Sequence, residues 1–287
     1  MTVRCGFIGL GIMGKALAQN LAPKGLPVVV YDLDEAPVRE LVEGGAKAAS
    51  GPREVAQSAD VIGICVPADS HVRAVLLGPE GVFENAASGT VVAIHSTVHP
   101  ATIEEMAREG SERGIAVLEV PVAGGPVRAA VGDAFYMVAG DESALERTRP
   151  YFEAAAGKIL FTGRLGTAAR LKLALNVLTN LSFAAAQEGM RLATALGLPQ
   201  ELYEEGGQAT TMLNPLSLQY LSMFKLPDES ARSEGLQSYF RGRMEIAQKD
   251  LSLALDQARE HGVAMPVTGL VSQLLARVYN VQDEKLR

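Results

Sequence analysis

The chain has 287 residues, 48% hydrophobic and 21% charged, which excludes wholesale disorder and allows a sizeable core without metal or disulfide staples. Its formal net charge of −7, with no basic cluster, argues against nucleic acid as a partner. Two isolated cysteines, Cys5 and Cys65, give neither a disulfide framework nor a zinc pattern, and no apolar run is long enough for a membrane span. With the first strand starting at Val3 there is no room for a leader before it, so a cytoplasmic protein is expected.

In chain order, Val3 to Ile8 reads as a short buried strand, and Met13 to Leu21 has helical spacing. Leu26 to Tyr31 is a β-branched strand, followed by a helix over Ala36 to Gly44. Val61 to Val66, Thr90 to Ile94, Ile115 to Leu118 and Phe135 to Val138 are further strands. His71 to Leu77 and Ala101 to Arg113 are the helices among them. Short apolar strands between amphipathic helices predict βαβ units and a mainly parallel sheet. After Gly163 the pattern changes. Thr167 to Leu196 is one long helix, stopped by Gly197 and Pro199. Gln200 to Gly206, Phe240 to His261 and Val267 to Tyr279 are helical, and the polar segment Leu226 to Gly235 reads as a loop. The expected fold is an α/β domain over residues 1–163 and an all-helical domain over 164–287, joined by the long helix.

Gly9-Leu10-Gly11-Ile12-Met13-Gly14 forms GxGxxG between the first strand and the first helix. Gly9 suits the tight turn, Gly11 lets a pyrophosphate approach the backbone, and Gly14 lets helix and strand pack closely. The helix start supplies N–H groups and positive dipole to the phosphates. Asp32 ends the second strand, where a carboxylate can bind both hydroxyls of an adenosine ribose and repel a 2′-phosphate. This is a Rossmann arrangement with NAD expected over NADP. A helix-capping Asp32 is the plainer alternative, and Arg39 reads as a solvated helix-face arginine.

On the long helix, Lys172, Asn176 and Asn180 are spaced i, i+4, i+8 and share one face amid Leu, Val, Ala and Phe. Asn is a poor helix former, so this stripe suggests a lined site; a snorkelling lysine beside core asparagines is the plainer reading. Oxidising an alcohol needs a group that takes the hydroxyl proton as hydride leaves. A lysine amine ionises near about 10.4 in water, and desolvation or a positive nicotinamide lowers that. Asn176 would hold the substrate oxygen and the amine in register.

Five ordered blocks extend these motifs over nearly the whole chain: GFIGLGIMG, STVHP at Ser96 to Pro100, EVPVAGG at Glu119 to Gly125, KLALN at Lys172 to Asn176, and QKDLSLAL from Gln248. On them the sequence resembles the β-hydroxyacid dehydrogenases, the family of 3-hydroxyisobutyrate dehydrogenase and tartronate semialdehyde reductase, with 6-phosphogluconate dehydrogenase more distant. The resemblance implies a Rossmann domain and a helical domain that builds a homodimer or homotetramer. It implies Lys172 as catalytic acid/base with Asn176 as its substrate-orienting partner, Thr97 beside the nicotinamide, and Val66-Pro67 walling the adenosine side. Gly124 and Gly125 would offer backbone N–H groups to a substrate carboxylate. Lys249 matches the lysine of the family's KD motif, which closes over cofactor and substrate; taken alone it reads as a surface lysine beside Asp250.

Two positions depart from the family. Ala123 stands where it usually has Ser, whose hydroxyl helps bind the carboxylate, and Leu175 replaces the first of two asparagines. Arg128 is a candidate to compensate at the acid subsite, with a solvated arginine as the alternative. His95 and His99 straddle a strand end without acidic or cysteine partners, so no metal site is expected, and His95 is a weaker candidate base than Lys172.

The sequence therefore reads as an NAD-dependent oxidoreductase of a small β-hydroxyacid or its semialdehyde, with neither nucleic acid nor membrane as partner. An imine- or ketone-reducing relative is the nearest alternative, though imine reductases of the family typically replace the lysine that is Lys172 here. A non-catalytic dinucleotide-binding scaffold is the second, and it would have no need of the Lys172–Asn176 stripe.

Overall fold

A computed structural model describes residues 2–282. They form two compact units, divided between Lys172 and Leu173.

In the first unit the strands are β1 Cys5–Ile8, β2 Val28–Tyr31, β3 Lys47–Ala48, β4 Val61–Ile64, β5 Val91–Ile94, β6 Ala116–Glu119, β7 Val122–Ala123, β8 Ala134–Ala139 and β9 Ala156–Gly163. Their order is β3-β2-β1-β4-β5-β6-β8-β7, with β9 also paired to β8. Neighbours from β3 to β6 are parallel, while β8 runs antiparallel to β6 and β7. Strands β1, β4 and β5 are buried along their full length, because helices cover both faces of the sheet. Alternate residues enter different cores: Phe7, Val61 and Ala93 pack with Tyr136 and Phe152, whereas Ile8, Ile62 and Ile94 pack with Val72 and Met106. Each strand expected from the sequence is present, shortened or extended by a residue or two. Three strands are additional. β3 and β7 have two residues each, too few for an alternation to register, and Gly157-Lys158 interrupts the apolar pattern of β9.

The second unit is helical. Its main elements are the greater part of the long helix Thr167–Ala195, then Gln200–Ala209, Pro215–Leu221 and Glu234–Glu260. Pro266–Gln273 and Leu275–Val278 follow. Phe183 and Tyr220 stack in its core with centroids 4.2 Å apart, packed with Phe240, Met244 and Leu251. Gly197, at φ +82°, ends the long helix in the left-handed region. Three expectations are corrected by the structure. The segment expected as a loop holds a helical turn at Asp228–Ala231, and the next helix opens at Glu234 rather than Phe240. Its first turn has only Leu236 as an apolar marker, so the helical period does not show there. The helix expected over Val267 to Tyr279 breaks at Leu274 into two pieces. No helix among the described residues is long and apolar enough to cross a membrane.

Candidate active site

Of the residues expected to hold a cofactor, the first unit gathers all but Lys249 at one edge of its sheet. The glycine loop follows β1, Asp32 follows β2, Val66-Pro67 follows β4, and Thr97 lies beyond β5. Ala123, Gly124 and Gly125 lie beyond β6. All sit past the carboxyl ends of parallel strands. The chain leaves β1 for β2 on one side and returns to β4 on the other, and that reversal is where open α/β sheets bind ligands.

The loop is shaped for a close approach. Gly9 has φ +92°, and a Cβ there would lie 2.3 Å from the Cys65 carbonyl oxygen. A Cβ on Gly14 would lie 1.9 Å from the Gly9 carbonyl oxygen, so helix and strand touch through bare backbone. At Gly11 a Cβ would meet nothing within 4 Å, leaving room beside the backbone. Helix Ile12–Ala18 starts at Gly11 without a side-chain cap, so no side chain takes up its first N–H groups, as an anion site requires. These residues fit a dinucleotide pyrophosphate.

Asp32 is tied in place by backbone donors: Leu10 N–H donates to Oδ2 and Asp34 N–H to Oδ1, the latter at 2.8 Å. The carboxylate is thus anchored to the glycine loop itself. Asp34, not Asp32, caps the following helix, accepting from Ala36 N–H at 2.9 Å. Arg39 is paired with Glu35 at 3.1 Å on the exposed helix face.

The loops after β4 and β5 are cross-tied. Val66 N–H donates to the buried Ser96 Oγ at 2.8 Å. Asp69 accepts from His99 N–H at 2.9 Å and from Thr102 Oγ1 at 2.6 Å. Val66 and Thr97 therefore stand on loops that share hydrogen bonds.

Beyond β6, Ala123 pairs in register with Phe135, and Gly124 and Gly125 both have positive φ, at +104° and +76°. Only glycine takes two such values in succession without strain. Arg128 lies on the following turn with its Nε 2.8 Å from Asp133 Oδ2, both side chains about half exposed. Its charge is already matched by a neighbour.

His95 is 4% exposed. Its Nδ1–H donates to the Val120 carbonyl at 3.1 Å, and Nε2 accepts from the Tyr151 hydroxyl at 2.8 Å. It stacks on Phe7, and burial pushes its pKa down to about 4. This is a neutral core histidine, and it has no route to a substrate proton. His99 caps helix Pro100–Ser111, its Nδ1 accepting from Ala101 N–H at 3.2 Å.

Helix Thr167–Ala195 carries Lys172, the last residue of the first unit, half-buried. Asn176, one turn on, belongs to the second unit. There its Nδ2–H donates to Asp250 Oδ2 at 2.6 Å. A carboxylate only accepts, so this bond fixes which way the amide faces and leaves Oδ1 as its remaining acceptor. Asp250 is 5% exposed, and Lys249 Nζ lies 3.1 Å from its Oδ1. One turn further, the buried Asn180 donates to the Asn176 carbonyl and accepts from the Tyr279 hydroxyl, both at 2.8 Å. Asn176 and Asn180 thus belong to one hydrogen-bonded network with Asp250 and Tyr279.

Two carboxylates escaped the sequence reading. Asp250 was visible only as a neighbour of Lys249, although its place on the buried face of its helix with Ala247, Leu251 and Ala254 was a usable signal. Glu119 is 1% exposed, and its signal was a lone charge inside the apolar run Ala116 to Val122.

Residues 4–163 match the NAD binding domain of 6-phosphogluconate dehydrogenase, and residues 166–286 match the NAD-binding domain of NADP-dependent 3-hydroxyisobutyrate dehydrogenase. The chain belongs to the β-hydroxyacid dehydrogenase family. It is 34% identical over 276 residues to an NAD-dependent L-serine dehydrogenase of Pseudomonas aeruginosa, covering 93% of this chain and 89% of that one. It is 31% identical over 273 residues to a 2-(hydroxymethyl)glutarate dehydrogenase of Eubacterium barkeri, covering 95% and 88%. Among solved structures it is similar to a 3-hydroxyisobutyrate dehydrogenase of Salmonella typhimurium, with 26% identity, a TM-score of 0.84, and coverage of 98% and 95%. As a member of this family the protein is an oxidoreductase with nicotinamide-cofactor-binding domains.

Proposed function

We propose that this protein oxidises a small β-hydroxyacid, or reduces its semialdehyde, with NAD in preference to NADP. The observation that carries the cofactor choice is Asp32. Its carboxylate is anchored to the glycine loop and to Asp34 N–H, where it would face a ribose 2′ position. Arg39, the nearby cation able to neutralise a 2′-phosphate, is engaged with Glu35.

A bound nicotinamide supplies the hydride acceptor or donor. Gly9 to Gly14 would cradle its pyrophosphate, and on the family pattern Val66 and Pro67 would wall the adenosine side and Thr97 would lie beside the nicotinamide. Lys249 is assigned to the cofactor on the family pattern. Lys172 takes the hydroxyl proton on its amine as the alcohol is oxidised, and returns it to the carbonyl oxygen in reduction. Asn176, its amide fixed by Asp250, offers Oδ1 to the substrate hydroxyl. Gly124 and Gly125 receive the acid group on backbone N–H donors. With Ala123 in place of a hydroxyl-bearing residue, that subsite has one donor fewer, worth about 1.5–3 kcal/mol against a charged group. Arg128, held by Asp133, stands at the edge of this subsite as a solvated charge. The helical unit supports a homodimer or homotetramer on the family pattern, and the cytoplasm is the expected compartment.

The test compares kcat/KM for NAD and NADP with a panel that includes L-serine, 3-hydroxyisobutyrate and 2-(hydroxymethyl)glutarate. The expected result is oxidation of at least one of them with NAD favoured by about tenfold or more. A preference for NADP would refute the role given to Asp32.

A further inference from the structure

The helix that carries Lys172 begins without a cap of its own. The Thr167 hydroxyl donates backwards, to the Thr162 and Arg164 carbonyls, and satisfies none of the N–H groups of the first turn. A helix start leaves its first four N–H groups without internal partners, and leaving them buried and unpaired is costly. Here the partner arrives from the sheet. Glu119, the last residue of β6, turns its carboxylate onto the helix start. Gly166 N–H donates to Oε2 and Ala169 N–H to Oε1, each at 2.9 Å. These are contacts across 47 and 50 residues of sequence, made by a side chain that is 1% exposed.

The other end of Glu119 is equally fixed. Its backbone is paired with Ile94 of β5 and Ala139 of β8, so the carboxylate projects from the interior of the sheet. Four residues later comes Ala123, followed by Gly124 and Gly125. Three residues after Ala169 comes Lys172, one helical turn away. Burial raises the proton affinity of Glu119, while the bonds from Ala169, Gly166 and Ala168 and the charge of Arg170 draw it back down. An apolar side chain would fill this space without that desolvation cost. The carboxylate is placed where it grips, and what it grips is the turn that leads to the lysine.

We propose that Glu119 is a positioning residue for proton transfer, clamping the first turn of helix Thr167–Ala195 to the sheet edge and so setting where the Lys172 amine stands. The inference rests on Lys172 being the acid/base. Since misplacing a catalytic group by about 1 Å can cost on the order of 100-fold, a clamp at the root of the helix has leverage on rate without touching substrate. Glu119→Gln keeps the length but sets an NH₂ against one of the two N–H donors. Glu119→Asp keeps the charge but is too short to hold both amides.

The experiment compares wild type, both Glu119 variants and Lys172→Ala, with kcat, substrate KM, NADH affinity and the solvent deuterium isotope effect on kcat measured for each. Both Glu119 variants should lose about tenfold or more in kcat, with NADH affinity within about twofold and a larger solvent isotope effect as proton transfer becomes limiting. A purely structural role would lower thermal stability and leave the isotope effect unchanged. In wild type, the Gly166 and Ala169 amides should exchange as slowly as amides in β5, a result that does not depend on any variant folding. Rapid exchange of those two amides overturns the proposal. So does a folded Glu119 variant with kcat within about twofold of wild type when Lys172→Ala is inactive. Full turnover in Lys172→Ala would instead overturn the proton-transfer reading, and the clamp with it.

Discussion

The two units are held in shape by different means. In the first, the work falls to backbone: three glycines, two positive-φ glycines beyond β6, a bare helix start and one carboxylate tied to the glycine loop. In the second, it falls to side chains that find each other across long separations, as Asn176 with Asp250 and Asn180 with Tyr279 do. A backbone site depends on what is missing, since a Cβ added at Gly9 or Gly14 collides. A side-chain network depends on what is present, and it weakens in steps as partners are removed.

The sharpest way to break the backbone site is Gly14→Ala. Its Cβ would lie 1.9 Å from the Gly9 carbonyl oxygen, and neither backbone can give way cheaply. NADH affinity by fluorescence titration should fall by about 100-fold or more, because the loop must move by on the order of 1 Å. An unchanged affinity would mean that close packing at Gly14 does not shape the cofactor site.

The network should respond more gently. Asp250→Ala removes the acceptor for Asn176 Nδ2 and the counter-charge of Lys249. The expected loss is about tenfold in kcat, with Asp250→Asn intermediate because it keeps one acceptor. Equal kcat in all three proteins would show that Asn176 needs no fixed amide.

The smallest effect separates structure from chemistry. His95 is held neutral, with a pKa near 4 against 6.5 in the unfolded chain. Between those values the unfolded state binds more protons, so stability rises with pH there and is lost as pH falls. His95→Gln should reduce the loss of stability from pH 7 to pH 5, by urea denaturation, by on the order of 1–2 kcal/mol. It should leave the pH dependence of kcat in place. A shifted kcat profile would return His95 to the chemistry.

This contrast also decides what could be read in advance. Gly9, Gly11 and Gly14 lie in one short stretch whose residue types are dictated by backbone geometry, so the fold of the first unit was legible there. The helical face of Lys172, Asn176 and Asn180 was legible too, because period alone fixes it. The partners of that face were not. Asp250 lies 74 residues from Asn176, and nothing local marks it as an acceptor. Glu119 is as remote from the helix it grips, and its sequence setting reads simply as a strand end. The same limit applies to Arg128, whose pairing with Asp133 involves a turn that residue spacing does not reveal.

If the first unit's glycine loop holds the cofactor and Lys172 moves the proton, binding and proton transfer are separable. Lys172→Ala tests it when NADH affinity and kcat are measured on the same preparation. The account predicts affinity within a few-fold of wild type and kcat reduced by about 10²- to 10⁴-fold. Near-normal turnover would contradict it, and so would the loss of NADH binding together with turnover.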